Sequence, residues 1–449
     1  MRWHWLVGLA LGLAAVSVEA QAAQTPPLLL ISIDGLRPGD ILEAAKRGLK
    51  VPTLRRMVEE GSYATGVTGE LPTVTYPSHT TLITGVTPAV HGIVNNLSFD
   101  PFRINQGGWT WYASDIKVPT LWDAAHAKGI VTANEHWPVS VGTQAIDYNL
   151  PQIWRTGTAD DAKLLRALAT PGLLDSLERD LGPYAAGIDE SIKGDENRAR
   201  FAVRLIETKH PGFMTAYFTA LDHQQHMSGP DTPEAHAVLE RIDTIVAKLS
   251  AAARKVNPNT IIAVVSDHGF APLHSDVNLP KAFADAGLIK FGVDGKVVSW
   301  DAAPWPSGGT AEVILRNPKD KATLARVSAL LAKLAADPKN GILKILPKTE
   351  IEAEGGDPAA QFFVAFRLGY EMGFDPAKPM ISPSHYRGMH GYLAELPEMR
   401  STFILVGPGI PAHHDLGIIK MIDIAPTLAR LMKVSLPKAQ GHPLAIGTL

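Results

Sequence analysis

The sequence predicts an α/β protein with a doubly wound, mostly parallel central sheet flanked by helices. Short apolar runs such as Leu28–Ile33 and Thr260–Ser266 are typical of strands that are covered on both faces, as in a parallel sheet. Helical patterns alternate with such runs, and Asp34 and Asp267 stand directly after two of them. Because open α/β sheets bind ligands at the carboxyl ends of their strands, these acids predict a site at that edge.

The remaining predicted elements keep the alternation of helix and strand. Further strands are expected at Phe213–Thr219 and Thr402–Gly407. Helices are expected at Val51–Gly61, Pro119–Gly129, Thr232–Ala253, Asp320–Ala336 and Asp423–Met432. Residues from about 150 to 210 are expected to form a helical insertion, and residues from about 273 to 384 a second insertion that shapes the substrate entrance. The chain from 24 to 449 is therefore interpreted as one catalytic domain with two insertions.

Composition narrows the possible chemistry. The net charge of −3 gives no basic footprint, so binding of a nucleic-acid polymer is not expected. The chain has no cysteine, which excludes disulfides, a lipid-modified cysteine and thiolate catalysis. Any bound metal ion must therefore use oxygen and nitrogen ligands.

The first residues have the pattern of a secretory signal peptide. One arginine precedes a short apolar run, and small residues follow at Ala20-Gln-Ala22. The run is too short for a comfortable membrane span. We expect residues 1–23 to be removed, which predicts an exported protein, periplasmic or secreted, without a stable membrane anchor after cleavage.

A loop that presents a nucleophile is predicted at Glu70–Gly85. Pro72 keeps its preceding residue extended and Pro77 fits a first helical turn, so Thr75 is expected just outside a helix start. Backbone N–H groups and the helix dipole at that place favour an ionised oxygen and an approaching anion. For the turn taken alone, the alternative is that Thr75 only caps the helix.

Three acids and three histidines stand at the ends of strands or in loops just before them: Asp34, Asp222, His226, Asp267, His268 and His390. Asp222 and His226 are four residues apart, which places both on one side of a helical turn. Six such residues predict two cations in an oxygen and nitrogen site of the sort that zinc accepts. The cations would activate the Thr75 hydroxyl and hold the leaving oxygen of a phosphorus centre. Asn96 and backbone N–H groups near Thr75 would donate to the other phosphoryl oxygens.

Several segments together carry a resemblance to a known family. They are Ile33-Asp-Gly35, Pro72-Thr-Val-Thr-Tyr-Pro-Ser-His79, His91-Gly-Ile-Val-Asn-Asn96, Asp222-x-x-x-His226-x-x-Gly-Pro230, Ser266-Asp-His-Gly269 and His390-Gly-Tyr392. By their order and spacing the chain resembles the alkaline phosphatase superfamily, and within it the nucleotide pyrophosphatase/phosphodiesterase branch.

The resemblance implies a role for each matching residue. Thr75 would be the nucleophile of a phosphothreonine intermediate and Asn96 the phosphoryl-oxygen donor. One zinc ion, which also binds Thr75, would be held by Asp34, Asp267 and His268, and the other by Asp222, His226 and His390. Tyr76 and Tyr217 match aromatic positions that pack on a nucleobase in nucleotide-specific relatives. The implied partner is a small phosphorylated substrate, a nucleotide or another phosphodiester.

Two departures leave the substrate subgroup open. Leu221-Asp222 and Gln225-His226 stand where the family commonly has Pro-Asp and Gly-His, and Trp137-Pro-Val-Ser140 lacks a glycine often seen there. A phosphate monoesterase with the same two-zinc site is the alternative, although no Lys-x-Arg pair stands between Asn96 and Asp222 to bind the extra charge. Arg155, Lys163, Lys193 and Arg387 remain candidate cations. A non-catalytic exported binding protein is the alternative from another class.

Overall fold

The central strand of the fold is Leu28–Ile33, whose six residues are all buried. The computed structural model describes residues 25–104, 108–154, 158–187 and 189–447. The predicted signal peptide at residues 1–23 and the candidate cation Arg155 lie outside the described residues. Across the described ranges, no helix combines the length and the apolar character that crossing a membrane requires.

The strands of the described residues alternate with helices along most of the chain. In chain order the strands are β1 Leu28–Ile33, β2 Ser62–Tyr63, β3 Gly66–Thr68, β4 Thr132–Glu135, β5 Tyr148–Leu150, β6 Phe213–Phe218, β7 Ile261–Val265, β8 Ala271–Val277, β9 Ile289–Phe291, β10 Val297–Trp300, β11 Ala302–Ser307, β12 Thr310–Leu315, β13 Ile342–Pro347, β14 Ala360–Phe366, β15 Gly369–Met372, β16 Ile381–Pro383, β17 Gly388–Met389, β18 Phe403–Val406, β19 His414–Asp415 and β20 Ile418–Lys420.

Helices of the described residues include the five that the sequence predicted, whose bounds differ by a few residues from those expected. In chain order they are α1 Gly39–Leu42, α2 Ala44–Arg47, α3 Pro52–Glu60, α4 Thr75–Thr84, α5 Pro88–His91, α6 Leu121–Ala127, α7 Ala159–Leu168, α8 Leu173–Leu181, α9 Ile192–Lys209, α10 Ala220–Ser228, α11 Pro233–Val256, α12 Leu279–Asp285, α13 Lys321–Ala336, α14 Lys348–Ala353 and α15 Ile424–Leu431. One detail differs from prediction: Thr75 is the first residue of α4, and Val74 holds the capping position.

The main sheet confirms the predicted fold class. Its eight strands are ordered β19-β2-β18-β7-β1-β6-β4-β5. Strand β1 pairs in parallel with both β6 and β7, and β4 in parallel with both β5 and β6. The exception is β18, which runs antiparallel to both of its neighbours. The sheet is therefore mixed but mostly parallel, as the apolar strand runs indicate.

Helices cover both faces of this sheet, and the alternation of side chains along β1 shows why. Leu29, Ile31 and Ile33 belong to a core formed with α3, α9 and α11. Leu28 and Leu30 point to the opposite face and join a core formed with α4, α6 and α15. Because successive strand residues face opposite sides, a strand covered on both sides must be apolar throughout.

The two predicted insertions have different structures. Between β5 and β6 the described residues form the helices α7, α8 and α9. Between β7 and β18 the chain forms a separate antiparallel sheet of order β11-β12-β14-β13 and a smaller sheet around β8. The second segment has its own apolar core, in which Val313, Val364 and Phe366 are buried. The boundaries of the two insertions stay predictions.

Candidate two-metal active site

Three carboxylates reach the site from the carboxyl ends of three neighbouring parallel strands. Asp34 follows β1, Asp267 follows β7, and Asp222 lies in the first turn of α10, which begins just after β6. Since β6, β1 and β7 are adjacent in the sheet, their ends deliver these side chains to one place.

The six predicted ligands form two groups whose ligand atoms lie within 4.8 Å of one another in each group. We name Asp34, Asp267 and His268 the inner cluster, and Asp222, His226 and His390 the outer cluster. The rings of His268 and His390 are stacked, with their centroids 3.7 Å apart. The two clusters are therefore adjacent, and each contains the three residues that the resemblance implied for one zinc ion.

Ligand atoms in the inner cluster converge on one point. The Nε2 atom of His268 lies 3.3 Å from Oδ1 of Asp34 and 3.2 Å from Oδ2 of Asp267. The backbone N–H of Gly35 donates to Oδ1 of Asp267 over 3.2 Å, and the hydroxyl of Tyr217 donates to Oδ2 of Asp34. Both carboxylates are thus held through one oxygen while the other oxygen faces His268.

The outer cluster is wider and is carried by α10 and the loop after β17. Nε2 of His226 lies 3.4 Å from Oδ2 of Asp222, and Nε2 of His390 lies 3.7 Å from Oδ1 of Asp222. The prediction that Asp222 and His226 lie on the same side of a helical turn is confirmed, because both belong to α10 and are four residues apart. The ring of the exposed Tyr386 lies 5.0 Å from that of His226 and borders the cluster.

Backbone carbonyls fix the tautomer of all three ligand histidines. The Nδ1 atoms lie 3.1 Å from Gly269 O for His268, 3.0 Å from Gly388 O for His226 and 3.2 Å from Thr73 O for His390. A carbonyl oxygen only accepts, so each Nδ1 donates and each Nε2 keeps its lone pair. Histidines that bind metal ions typically donate their other ring N–H to a carbonyl or carboxylate in this way, which holds the ring in place.

The charges of the site fit a pair of divalent cations. Oδ1 of Asp34, Oδ1 of Asp222 and Oδ2 of Asp267 are buried and have no hydrogen-bond partner within the described part of the chain. Burial raises the pKa of Asp267 to about 7, and burial with the nearby Asp267 charge raises the pKa of Asp34 well above its usual range. Burial also lowers the pKa of His390 to about 3. Cations at the unpartnered oxygens would restore ionised carboxylates, and neutral histidines are the form that binds metals.

Thr75 begins α4 at the edge of the inner cluster. Its Oγ1 lies 3.4 Å from Nε2 of His268, and the capping position of α4 belongs to Val74 and not to Thr75. The hydroxyl therefore points to the same lone pair that the inner carboxylates face. These contacts do not support the alternative that Thr75 only caps the helix.

Asn96 lies beside the start of α4. Its Oδ1 accepts a hydrogen bond of 2.8 Å from the backbone N–H of Tyr76, the residue after Thr75. This contact occupies one of the backbone N–H groups that the sequence predicted for phosphoryl oxygens. It also fixes the amide plane, so that the Nδ2 group of Asn96 is the donor left for a ligand.

The two tyrosines predicted to contact a base are both 1% exposed. Tyr76 packs against Trp109, with ring centroids 5.1 Å apart, and its hydroxyl has no hydrogen-bond partner. Tyr217 lies in β6 and donates to Asp34. Their contact with a base stays a prediction, but burial leaves neither ring a free face, whereas Tyr217 has a direct role in orienting a ligand carboxylate.

His79 belongs to the segment Pro72–His79 that carries the family resemblance, but the sequence alone assigned it no role. This buried histidine donates from Nδ1 to the carbonyl of Thr75 over 2.8 Å, and its Nε2 lies 2.9 Å from Oγ of Ser32 in β1. His79 therefore fastens the first turn of α4 to the central strand. The spacing of four residues from Thr75, on the same side of a helix, was the available signal.

Comparison with known proteins gives one family and one fold. The family model "Type I phosphodiesterase / nucleotide pyrophosphatase" matches residues 28–393. An uncharacterized pyrophosphatase/phosphodiesterase of Schizosaccharomyces pombe is 25% identical over 258 residues, 55% of this chain and 45% of the relative. Human ectonucleotide pyrophosphatase/phosphodiesterase family member 1 is 24% identical over 258 residues, 55% of this chain and 24% of the relative. The chain thus matches less than half the length of these relatives.

A solved structure supports the same fold over nearly the whole chain. It is murine ectonucleotide pyrophosphatase/phosphodiesterase 5, an inactive threonine-to-alanine variant in complex with AMP. The likeness covers 93% of this chain and 97% of that chain, with a TM-score of 0.65 and 17% identity. The family model covers most of the sequence, and the strands, helices and ligand loops that it spans are those described above. The chain therefore belongs to the type I phosphodiesterase/nucleotide pyrophosphatase family.

Proposed function

We propose that the chain is a phosphodiesterase of the nucleotide pyrophosphatase type, which acts through a phosphothreonine intermediate on Thr75. The observation that carries this proposal is the position of the Thr75 hydroxyl. It stands at the start of a ten-residue helix and 3.4 Å from Nε2 of His268, in contact with a cluster of three ligand side chains. A threonine that only capped its helix would bond to the helix backbone instead.

Two divalent cations fit the two clusters, and we propose zinc because the donors are carboxylate oxygens and imidazole nitrogens. Asp34, Asp267 and His268 would hold one cation, and Asp222, His226 and His390 the other. Bound there, they would supply Lewis acidity that makes the threonine alkoxide accessible and stabilises charge on the leaving oxygen.

The residues of the chain then divide the reaction between them. The Thr75 hydroxyl gives its proton to solvent and its oxygen bonds to phosphorus, while the bond from phosphorus to the leaving oxygen breaks and the leaving group takes the electron pair and then a proton. Water later attacks the phosphorus of the phosphothreonine, which breaks the bond to the Thr75 oxygen, releases a phosphate monoester and restores the hydroxyl. Asn96 donates from Nδ2 to a phosphoryl oxygen, held in place by the Tyr76 N–H.

The charge beside the outer cluster favours diesters over monoesters. Oε2 of Glu190 lies 3.2 Å from Nδ1 of His223, which neighbours Asp222. The pKa of Asp222 is raised well above its usual range by burial first, with smaller contributions from Asp34 and Glu190. A carboxylate within electrostatic reach of the ligands opposes the extra charge of a monoester dianion. Of the candidate cations, Lys163 pairs with Asp160, and Arg387 donates to the carbonyls of Ser384 and Tyr386.

The substrate is proposed to be a small nucleotide-like diester or pyrophosphate. The family and the AMP-bound structural relative support this class, and the chain is proposed to act after export, in the periplasm or outside the cell. The apolar run near the first residue supports export. Amino-terminal sequencing of the protein recovered from a periplasmic or culture fraction tests the location.

The decisive assay compares a phosphodiester and a phosphomonoester that share one leaving group. We expect the diester to have the higher kcat/KM, with zinc content near two per chain and activity lost on chelation. Acid quench during turnover should trap phosphate on Thr75. A higher kcat/KM for the monoester would replace this proposal by the monoesterase alternative, and full activity in metal-free protein would contradict it.

A further inference from the structure

The hairpin β11–β12 of the second insertion contacts the active site at three places. Its residues Ser307 and Glu312 bond to Asn95, its Trp305 bonds to Leu97, and its turn bonds to the backbone of His390. Asn95 and Leu97 are the two neighbours of Asn96. The hairpin therefore forms hydrogen bonds on both sides of Asn96, the residue proposed to donate to the phosphoryl oxygen.

Asn95 is held by a buried network of hydrogen bonds. Nδ2 of Asn95 donates over 2.8 Å to Oε1 of Glu312, and it also lies 2.7 Å from Oγ of Ser307 and 3.1 Å from the carbonyl of Pro306. The hydroxyl of Ser307 donates to the same Oε1 over 3.1 Å. Glu312 is 1% exposed and Asn95 6%, so water offers no substitute partner.

The hold on Leu97 and on His390 is made by polar groups of the same hairpin. The indole N–H of Trp305 donates to the carbonyl of Leu97 over 3.3 Å. In the turn, the N–H of Gly309 donates to the carbonyl of His390 over 2.8 Å. Gly308 has a φ of +66°, and a Cβ there would lie 2.3 Å from the His390 carbonyl. The turn can therefore approach the ligand backbone this closely only with glycine.

We propose that Glu312 is a positioning residue, which sets Asn96 relative to Thr75 and His390 by fixing Asn95. The inference rests on the proposed function for the role of Asn96. No contact links Glu312 to the reacting atoms, so its effect must pass through the short chain segment 95–97. Misplacement of a donor by about 1 Å costs on the order of 10²-fold in rate. Loss of the Glu312 contact should therefore lower the rate measurably.

Glutamine is the conservative replacement for Glu312. Burial raises the pKa of Glu312 well above its usual range, and the charge of Asp357 adds to this shift, so a neutral side chain suits the site. The carbonyl of glutamine still accepts from Asn95 and Ser307. Methionine has similar length without a strong acceptor. Val313, the next residue in β12, is buried in the insertion core on the opposite face, which makes Val313→Ala a matched control for lost stability.

The first test is a double-mutant cycle between Glu312→Met and Asn96→Ala on the diester. We expect Glu312→Met to lower kcat by about tenfold or more in the wild-type background and by less than twofold in the Asn96→Ala background. Glu312→Gln should restore the rate, and Val313→Ala should keep it. Equal losses of kcat in both backgrounds would show that Glu312 does not act through Asn96 and would overturn the inference.

The second test needs neither metal nor turnover. Because the Tyr76 N–H donates to Oδ1 of Asn96, its hydrogen exchange in metal-free protein reports on the position of Asn96. We expect faster exchange of this amide in Glu312→Met, and wild-type exchange in Glu312→Gln and Val313→Ala. Unchanged exchange in Glu312→Met would overturn the inference even if the proposed reaction holds. Faster exchange in a protein that hydrolyses no diester would retain the positioning and remove the proposed function.

Discussion

The inner and outer clusters differ in how completely the protein encloses them. Side chains of the inner cluster are 0% exposed at His268 and Asp267 and 4% at Asp34. Those of the outer cluster are 16% exposed at His226, 11% at Asp222 and 9% at His390. The inner cluster lies beside the Thr75 hydroxyl, whereas the outer one borders the exposed Tyr386.

The two clusters also differ in the support behind their ligands. Each inner ligand is fixed by a hydrogen bond: Asp34 by Tyr217, Asp267 by Gly35 and His268 by Gly269. In the outer cluster the histidines are fixed by carbonyls, but among the described residues no hydrogen bond holds a carboxylate oxygen of Asp222. The comparison teaches that the protein holds all three side chains of the inner cluster, whereas it leaves the carboxylate of the outer cluster unheld.

The sharpest test of this division is Thr75→Ala. We expect kcat for the diester to fall by at least about 10⁴-fold, because removing the nucleophile of a comparable covalent mechanism costs on the order of 10⁶. The Thr75 side chain contacts the clusters through its hydrogen bond to His268. Loss of this bond leaves all six ligand side chains in place, so metal content should stay at two per chain. Steady-state kinetics and metal analysis of the same preparation check both expectations. A fully active variant, or trapped phosphate on another residue, would remove Thr75 from its role.

The next largest effect is expected for Asn96→Ala. Loss of one donor to a charged phosphoryl oxygen should lower kcat by about 10²–10³-fold, or roughly 3–4 kcal/mol, without loss of metal. Val313→Ala serves as the comparison, because it changes a buried side chain of the insertion core and leaves Asn95 and Asn96 unchanged. Single-turnover rates separate this effect from product release. A change in KM alone would place Asn96 in ground-state binding and not in the transition state.

Metal removal should separate the two clusters directly. We expect a limiting chelator to extract one equivalent of metal first, from the outer cluster. The inner equivalent should be held about 10–100-fold more tightly, because hydrogen bonds hold both of its carboxylates as well as its histidine. Asp222→Ala should then retain close to one equivalent, and Asp267→Ala should lose the inner one. Metal content after stepwise dialysis measures the difference. Simultaneous loss of both equivalents at one chelator concentration would contradict the distinction between the clusters.

The smallest expected effect compares two tyrosine hydroxyls. Tyr217→Phe removes the donor to Asp34 and should weaken the inner metal by about 10–100-fold. Tyr76→Phe removes a buried hydroxyl without a partner and should leave metal affinity and fold intact. Competition with a chromogenic chelator gives both affinities. Equal affinities in the two variants would show that the Asp34 contact contributes nothing to the site.

The sequence predicted the strands and helices well where the signal was local. The apolar run Leu28–Ile33 became β1 with the same bounds, and Asp34, directly after it, lies in the inner cluster. The four-residue spacing of Asp222 and His226 also predicted their common side. Periodicity and strand ends suffice for such features because each depends on neighbouring residues.

Features that depend on long-range packing escaped the sequence. Asn95 and Glu312 are 217 positions apart, and nothing in either neighbourhood indicates their contact. The predicted base contact of Tyr217 followed a family position, whereas its burial and its bond to Asp34 depend on how β6 packs beside β1. Hydrogen-bond partners across a sheet or between domains are set by the folded chain as a whole, and a linear pattern does not record them.

The order of the ligands along the chain has a consequence for how the site is assembled. All three inner ligands, and Thr75 with them, lie within the first 268 residues, whereas His390 follows the whole second insertion. During synthesis the amino-terminal part of a chain is available first. Strand β18, which pairs with β7 beside Asp267, also follows the second insertion. Completion of the outer cluster and closure of the main sheet therefore both wait for the carboxyl-terminal part of the chain.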